Sequence, residues 1–114
     1  MDDRDAVEFA LLHSDGRLEF SHAPDSDSLL RTMREHIPGL GTQGMGRLRA
    51  WFTDDFGTLP ANPLADAVLS GIGYHHPTGW RGPVALTMEE ASDGNTPSLE
   101  PNVRAAIEDL AHVS

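Results

Sequence analysis

His75-His76 is the pair of side chains in this sequence best suited to metal chemistry. Adjacent imidazoles in a loop can both ligate a metal, but a usable site needs three or more ligands and a shell that orients them. His13, His22, Asp54 and Asp55 are the available thirds, and nothing in their spacing selects one. The alternative is a loop with two partly exposed rings. Asp54-Asp55 offers a carboxylate pair for acid–base work, although Asp54-Asp55-Phe56-Gly57 equally reads as a turn with a solvated edge.

Gly39, Gly41 and Gly44 carry the spacing of the dinucleotide fingerprint. That fingerprint works only between a preceding strand and a following helix, whose N-terminus meets the pyrophosphate. Here the pattern predicts a helix before and a strand after, so residues 39–46 are expected to be a flexible loop. No serine sits in a Gly-x-Ser-x-Gly elbow. The sequence therefore assigns no catalytic residue, no metal site and no cofactor.

A third constellation is suited to recognition. Trp51 stands on the polar-alternating side of its strand beside Arg47 and Arg49, and Tyr74, His75, His76, Trp80 and Arg81 follow in one loop. Exposed Trp, Tyr and Arg are the types enriched at binding hot spots. If the 74–81 loop folds over the sheet, these eight residues form one surface, and Trp80→Ala weakens binding without unfolding the domain. The opposing reading makes Trp51 and Trp80 the cover of a hydrophobic cluster at the sheet edge.

The elements that must position these residues follow from periodicity. Val7, Phe9 and Leu11 alternate, as do Leu18 and Phe20, with Asp15-Gly16 between them. That is a hairpin signal whose two turn positions both call for φ > 0. Asp25 to Ser28 offers helix caps, and Leu29, Leu30, Met33 and Ile37 recur at helical spacing. Arg47 to Phe52 reads as a third strand. Asn62-Pro63 is a cap followed by proline at the first helical position, with Leu64, Ala67, Val68 and Ile72 as the stripe and a break at Gly71 and Gly73. Val84, Leu86 and Met88 alternate in a fourth strand. Val103, Ile107 and Leu110 mark a last helix.

These elements predict an α+β fold in the order ββαβαβα: a four-stranded mixed sheet with helices on one face. The third and fourth strands are expected to be parallel through a right-handed helical crossover. The predicted organisation is a core domain over 1–88, a flexible linker over 89–99 and a C-terminal helix over 100–114.

The 114 residues suit one domain. The absence of cysteine excludes a disulfide scaffold and thiolate chemistry. Eighteen carboxylates against eight cationic side chains give a net charge of −10, which disfavours direct nucleic-acid binding and anionic membranes. No leader or membrane-spanning run is evident, so a cytoplasmic chain is expected. Carboxylates cluster at Asp2-Asp3-Asp5 and at Glu89-Glu90-Asp93.

The stretch from Leu48 to Leu86 resembles a family of small domains of unknown function found in phage, plasmid and actinobacterial proteins. The resemblance rests on the alternating Leu48–Phe52, the acidic Asp54-Asp55 turn, Leu59-Pro60-Ala61-Asn62-Pro63-Leu64-Ala65, Val68-Leu69 and Gly82-Pro83-Val84. It implies a mobile-element origin and no activity. The segment from Gly71 to Gly82 departs from the family pattern.

The leading expectation is a non-enzymatic, acidic protein-interaction module that binds an unidentified protein through the 74–81 loop and neighbouring aromatics. A small-molecule binder or enzyme with a pocket near 54–55 and 74–81 is the alternative, and an acidic nucleic-acid mimic is the second. The two edges of a short sheet also leave homo-oligomerisation open.

Overall fold

The computed structural model describes residues 6–37, 39–53, 59–77 and 79–112. Their order is β1 (Val7–Leu12), β2 (Leu18–Ala23), α1 (Leu29–His36), β3 (Leu40–Met45), β4 (Leu48–Thr53), α2 (Pro63–Ile72), β5 (Val84–Met88) and α3 (Pro101–His112). The fold is α+β, as expected, but the sheet has five strands in the order β2-β1-β5-β4-β3, and all four pairings are antiparallel.

The additional strand is the glycine-rich stretch expected to be a loop. Its register on β4 runs from Leu40↔Thr53 to Met45↔Leu48. Gly46 and Arg47 form the intervening two-residue turn, with Gly46 at φ +71° in the first central position. A positive φ at that position alone is the pattern of the II′ turn, whose twist suits a tight hairpin. Low β-propensity is overridden because the β4 ladder bonds the β3 backbone whatever side chains it carries. The β1–β2 hairpin stands, with a different turn. Only Gly16 has positive φ (+92°). The Gly16 amide donates to the His13 carbonyl, and the His13 amide donates to that of Arg17, both at 3.0 Å. This is a type I turn closed by a glycine bulge.

The antiparallel relation of β4 and β5 replaces the expected parallel crossover. A ten-residue helix carries the chain about 15 Å along the sheet, and the segment after it carries the chain back. The Asn62 amide donates to the Trp80 carbonyl at 2.8 Å, and Ala61 bridges Arg81. The chain thus re-enters the sheet beside the residues that opened α2, and β5 runs opposite to β4.

β5 is central, and all five of its residues are buried. Its two faces serve two cores, so helices cover both faces of the sheet rather than one. Ala10, Leu12, Ala50, Val84 and Leu86 pack under α2 and α3 with Leu64, Val68, Leu69 and Ile107. Val7, Phe9, Leu11, Trp51 and Ala85 face α1 through Leu29, Met33 and Ile37. Leu30, read as part of the α1 stripe, is exposed. In α2, Gly71 lies inside the helix, where a Cβ would collide with Leu110 of α3. The helix closes instead at Gly73 (φ +112°). There the Tyr74 amide donates to Leu69 O at 2.8 Å and the Gly73 amide to Ser70 O at 3.0 Å, the paired bonds of a Schellman cap.

Residues 89–99, read as a linker, run back to the start of the sheet. The Thr96 amide donates to Ser26 Oγ at 2.7 Å and the Glu8 amide to Ser98 Oγ at 2.8 Å. Leu99 is buried in the core beneath α2 and α3. No described helix is long and apolar enough to cross a membrane.

Asn62 is fully buried. Its Oδ1 accepts the Ala65 amide at 2.9 Å. Its Nδ2 donates to Leu12 O at 2.9 Å and to Gly82 O at 2.7 Å. Asn62→Ala removes the cap of α2 and the side-chain donor shared by two buried carbonyls. It should cost about 2–3 kcal/mol, read as a lower urea midpoint at unchanged slope.

Candidate functional site

The eight residues expected to form one surface are divided between the faces and loops of the sheet. Trp51 faces α1, with 9% of its surface exposed, and its Nε1 donates to Thr87 Oγ1 at 2.9 Å. Trp80 lies in the opposite core at 3%. Its ring meets Phe52 edge-on at 5.3 Å, and His76 tilts against it at 5.1 Å. The Trp80 amide donates to Asp66 Oδ1 at 2.7 Å, so the first turn of α2 holds the backbone that delivers the indole. Among the described residues, Trp80 Nε1 is buried without a partner. The two tryptophans therefore belong to packing, on opposite sides of the sheet.

Beside the tryptophans and His76, the other five are placed as follows. His75 is exposed, with Nδ1 3.1 Å from Ser70 Oγ. Arg81 is half-buried and donates through Nη1 to Leu59 O at 3.3 Å. Arg47, in the β3–β4 turn, is paired with Glu100 just before α3. Arg49 makes a forked contact with Glu89: Nε to Oε1 at 2.8 Å and Nη2 to Oε2 at 3.1 Å. Its Nη1 donates to Thr42 Oγ1 at 3.1 Å. Tyr74 is half-buried against the core of α2 and α3.

Among the described residues, no three histidines or carboxylates converge as metal ligands. His13 is engaged with Glu19 at 2.9 Å, and His22 is exposed on β2. Asp54 and Asp55 lie outside the described residues, as does the Asp2-Asp3-Asp5 cluster. Gly39, Gly41 and Gly44 follow α1 and run into or along a paired strand, an arrangement that presents no helix N-terminus to a phosphate.

Three concavities accompany these residues. A 640 Å³ polar cleft lies between Asp25–Asp27 and Asn95–Ser98. A 490 Å³ cavity on the α1 side contains Thr42, Arg49, Trp51, Thr87 and Glu89. A 340 Å³ groove is walled by Met45, Leu48, Ile72, Tyr74, Val103 and Ile107, with Arg47 at its rim. Only this last groove joins the 74–81 loop to the arginine hairpin. The Schellman cap of α2 turns the chain so that Tyr74 forms one wall, and α3 supplies another through Val103, Ala106 and Ile107. Of these, Val103 and Ile107 belong to the helical stripe seen in the sequence, and Ala106 does not. The spacing of that stripe was visible in the sequence, while the place where α3 docks was not.

Comparison with protein-family models, curated proteins and solved structures finds no match to this chain.

Trp80→Ala should cost about 3–5 kcal/mol, as for other buried large-to-alanine changes. A chemical-denaturation curve checks this, and an unchanged midpoint would place Trp80 outside the core. Glu89 provides a pH test. Hydrogen bonds from Arg49 hold its carboxyl below the ordinary value of 4.5, against partial desolvation. Because the folded-state value is the lower one, the pairing contributes in full above about 4.5 and is lost as pH falls through the lowered value. Glu89→Gln should therefore be less stable than the parent at neutral pH by about 1 kcal/mol or less. That gap should close as pH falls below the ordinary carboxylate value and through the lowered one, in paired urea titrations.

Proposed function

We propose that this chain is a non-enzymatic, cytoplasmic protein-interaction module of mobile-element origin. It holds an apolar side chain of a basic partner protein in the groove between the β3–β4 turn, the end of α2 and α3. The observation that carries this reading is the groove itself: 340 Å³, with apolar walls, a tyrosine on one side and an arginine at the rim. Tyrosine and arginine are residues that anchor interfaces, because each pairs a broad contact surface with a directional polar group. The preference for a basic partner follows from charge. A net charge of −10 attracts cationic surfaces over distance and repels phosphate backbones and anionic proteins. The origin rests on the resemblance of residues 48–86 to domains of mobile elements.

Ala106 is exposed on α3 at the groove, so a long side chain there fills the groove without entering the core. Ala106→Arg should abolish capture of the protein retained by the parent chain from a native lysate, with the circular dichroism spectrum unchanged. Equal capture by parent and variant, or no capture by the parent at micromolar bait, refutes the groove as the binding site.

A further inference from the structure

We propose that β3 is a self-pairing edge through which two copies of the chain join antiparallel into one continuous sheet. This reading is independent of the groove. β3 is last in the strand order. In its ladder on β4, a two-residue turn makes Met45↔Leu48 the first hydrogen-bonded pair, and bonded pairs alternate from there. The inward groups are thus those of Met45, Gln43 and Gly41. By the same alternation the amides and carbonyls of Leu40, Thr42 and Gly44 point outward, away from β4.

Natural edge strands are usually guarded by charge, proline or a bulge. β2, the other edge, has Glu19 and His22 within it and Pro24 directly after. β3 has none of these devices: Leu-Gly-Thr-Gln-Gly-Met is uncharged and regularly paired.

Charge identifies the occupant as a second copy. The molecule carries −10, so two copies repel wherever carboxylates meet. No Asp or Glu lies between Glu35 and Asp54. The two arginines of that interval are already neutralised, Arg47 by Glu100 and Arg49 by Glu89. The one carboxylate seen against the strand among the described residues, Glu89 beside Gly44, is the one paired with Arg49. The β3 side is therefore close to neutral, a place where like molecules approach without that cost, whereas a strongly basic strand would find no unpaired carboxylate there to answer it.

The strand also complements itself. A two-fold axis at Thr42 aligns every outward group: Leu40 with Gly44 of the second copy, Thr42 with its own equivalent, and Gly44 with Leu40. On the α1 side, each leucine then faces a glycine and threonine faces threonine, a favourable cross-strand pair. On the other side, Gln43 faces Gly41. No like charges and no two bulky side chains are opposed. A six-residue strand spans about 20 Å, so the dimer belongs to the small, weak class of interface.

The test is sedimentation velocity of the full chain from about 10 µM to about 1 mM, the range in which weak interfaces saturate, with amide hydrogen exchange at both ends of the series. The expected result is a monomer–dimer equilibrium in which exchange at Leu40, Thr42 and Gly44 slows as concentration rises, while Gly41 and Gln43 are unaffected. Thr42→Pro removes an outward donor at a position where an edge strand tolerates proline. Thr42→Lys sets two ammonium groups against each other across the axis. Both should be monomeric throughout the series, with the parent's circular dichroism spectrum. Should either variant unfold, the exchange pattern of the parent decides alone. A parent chain that stays monomeric to about 1 mM overturns the proposal, as does a dimer that survives both substitutions or one whose concentration-dependent protection lies elsewhere.

Discussion

The fold depends on how one buried amide is satisfied. Asn62 caps α2 with its carbonyl oxygen and holds the end of β1 and the entry to β5 with its two N–H groups. Burying an amide without partners costs several kcal/mol, whereas a fully bonded one fixes geometry. Here it fixes where α2 begins relative to the two central strands. The adjacent bond from the Asn62 amide to Trp80 O then places the return segment, and that segment delivers Trp80 to the core and Arg81 to its bridge with Ala61. Tyr74 takes its position from the opposite end of the same helix. The candidate groove is thus positioned by α2, whose own position is set at Asn62.

Local signals in the sequence were reliable where a short-range cause acts. Asn62-Pro63 opens a helix because capping and the missing proline donor operate within one turn. Asp15-Gly16 closes a hairpin, although the bulge needs positive φ at the glycine alone. The errors arose where a longer-range interaction decides. β3 has poor intrinsic preference for a strand and exists because β4 is there to pair with it. The direction of β5 depends on the out-and-back path through residues 73–82, which periodicity cannot reveal.

The same distinction explains the candidate site. Alternation placed Trp51 and Arg49 together on one side of their strand, and the structure keeps them together. Alternation could not show that this side is covered by α1, because the sheet was expected to be covered on one face only. With helices on both faces, an aromatic on the "polar" face of a strand becomes a core residue. Trp80 was misplaced for a related reason: its loop appeared to be an exposed insert, yet Asp66 and Asn62 tie that loop to α2. Arg47 and Tyr74, the two that do share a groove, are brought together by the β3–β4 turn and the α2 cap, neither of which was resolved as such from spacing.

The central position of β5 sets the order of assembly. β1–β2 and β3–β4 are local hairpins that close early as the chain is made, but they have no direct pairing with each other. The sheet exists as one object only after residues 84–88 insert between them, and both cores then close around the same five side chains. Contacts of long sequence separation thus carry the decisive step, which slows folding relative to a helical chain of similar size. Until that step, the emerging polypeptide exposes two unsatisfied inner edges, on β1 and β4. A nascent chain arrested before Val84 would be held in a state prone to wrong strand pairing.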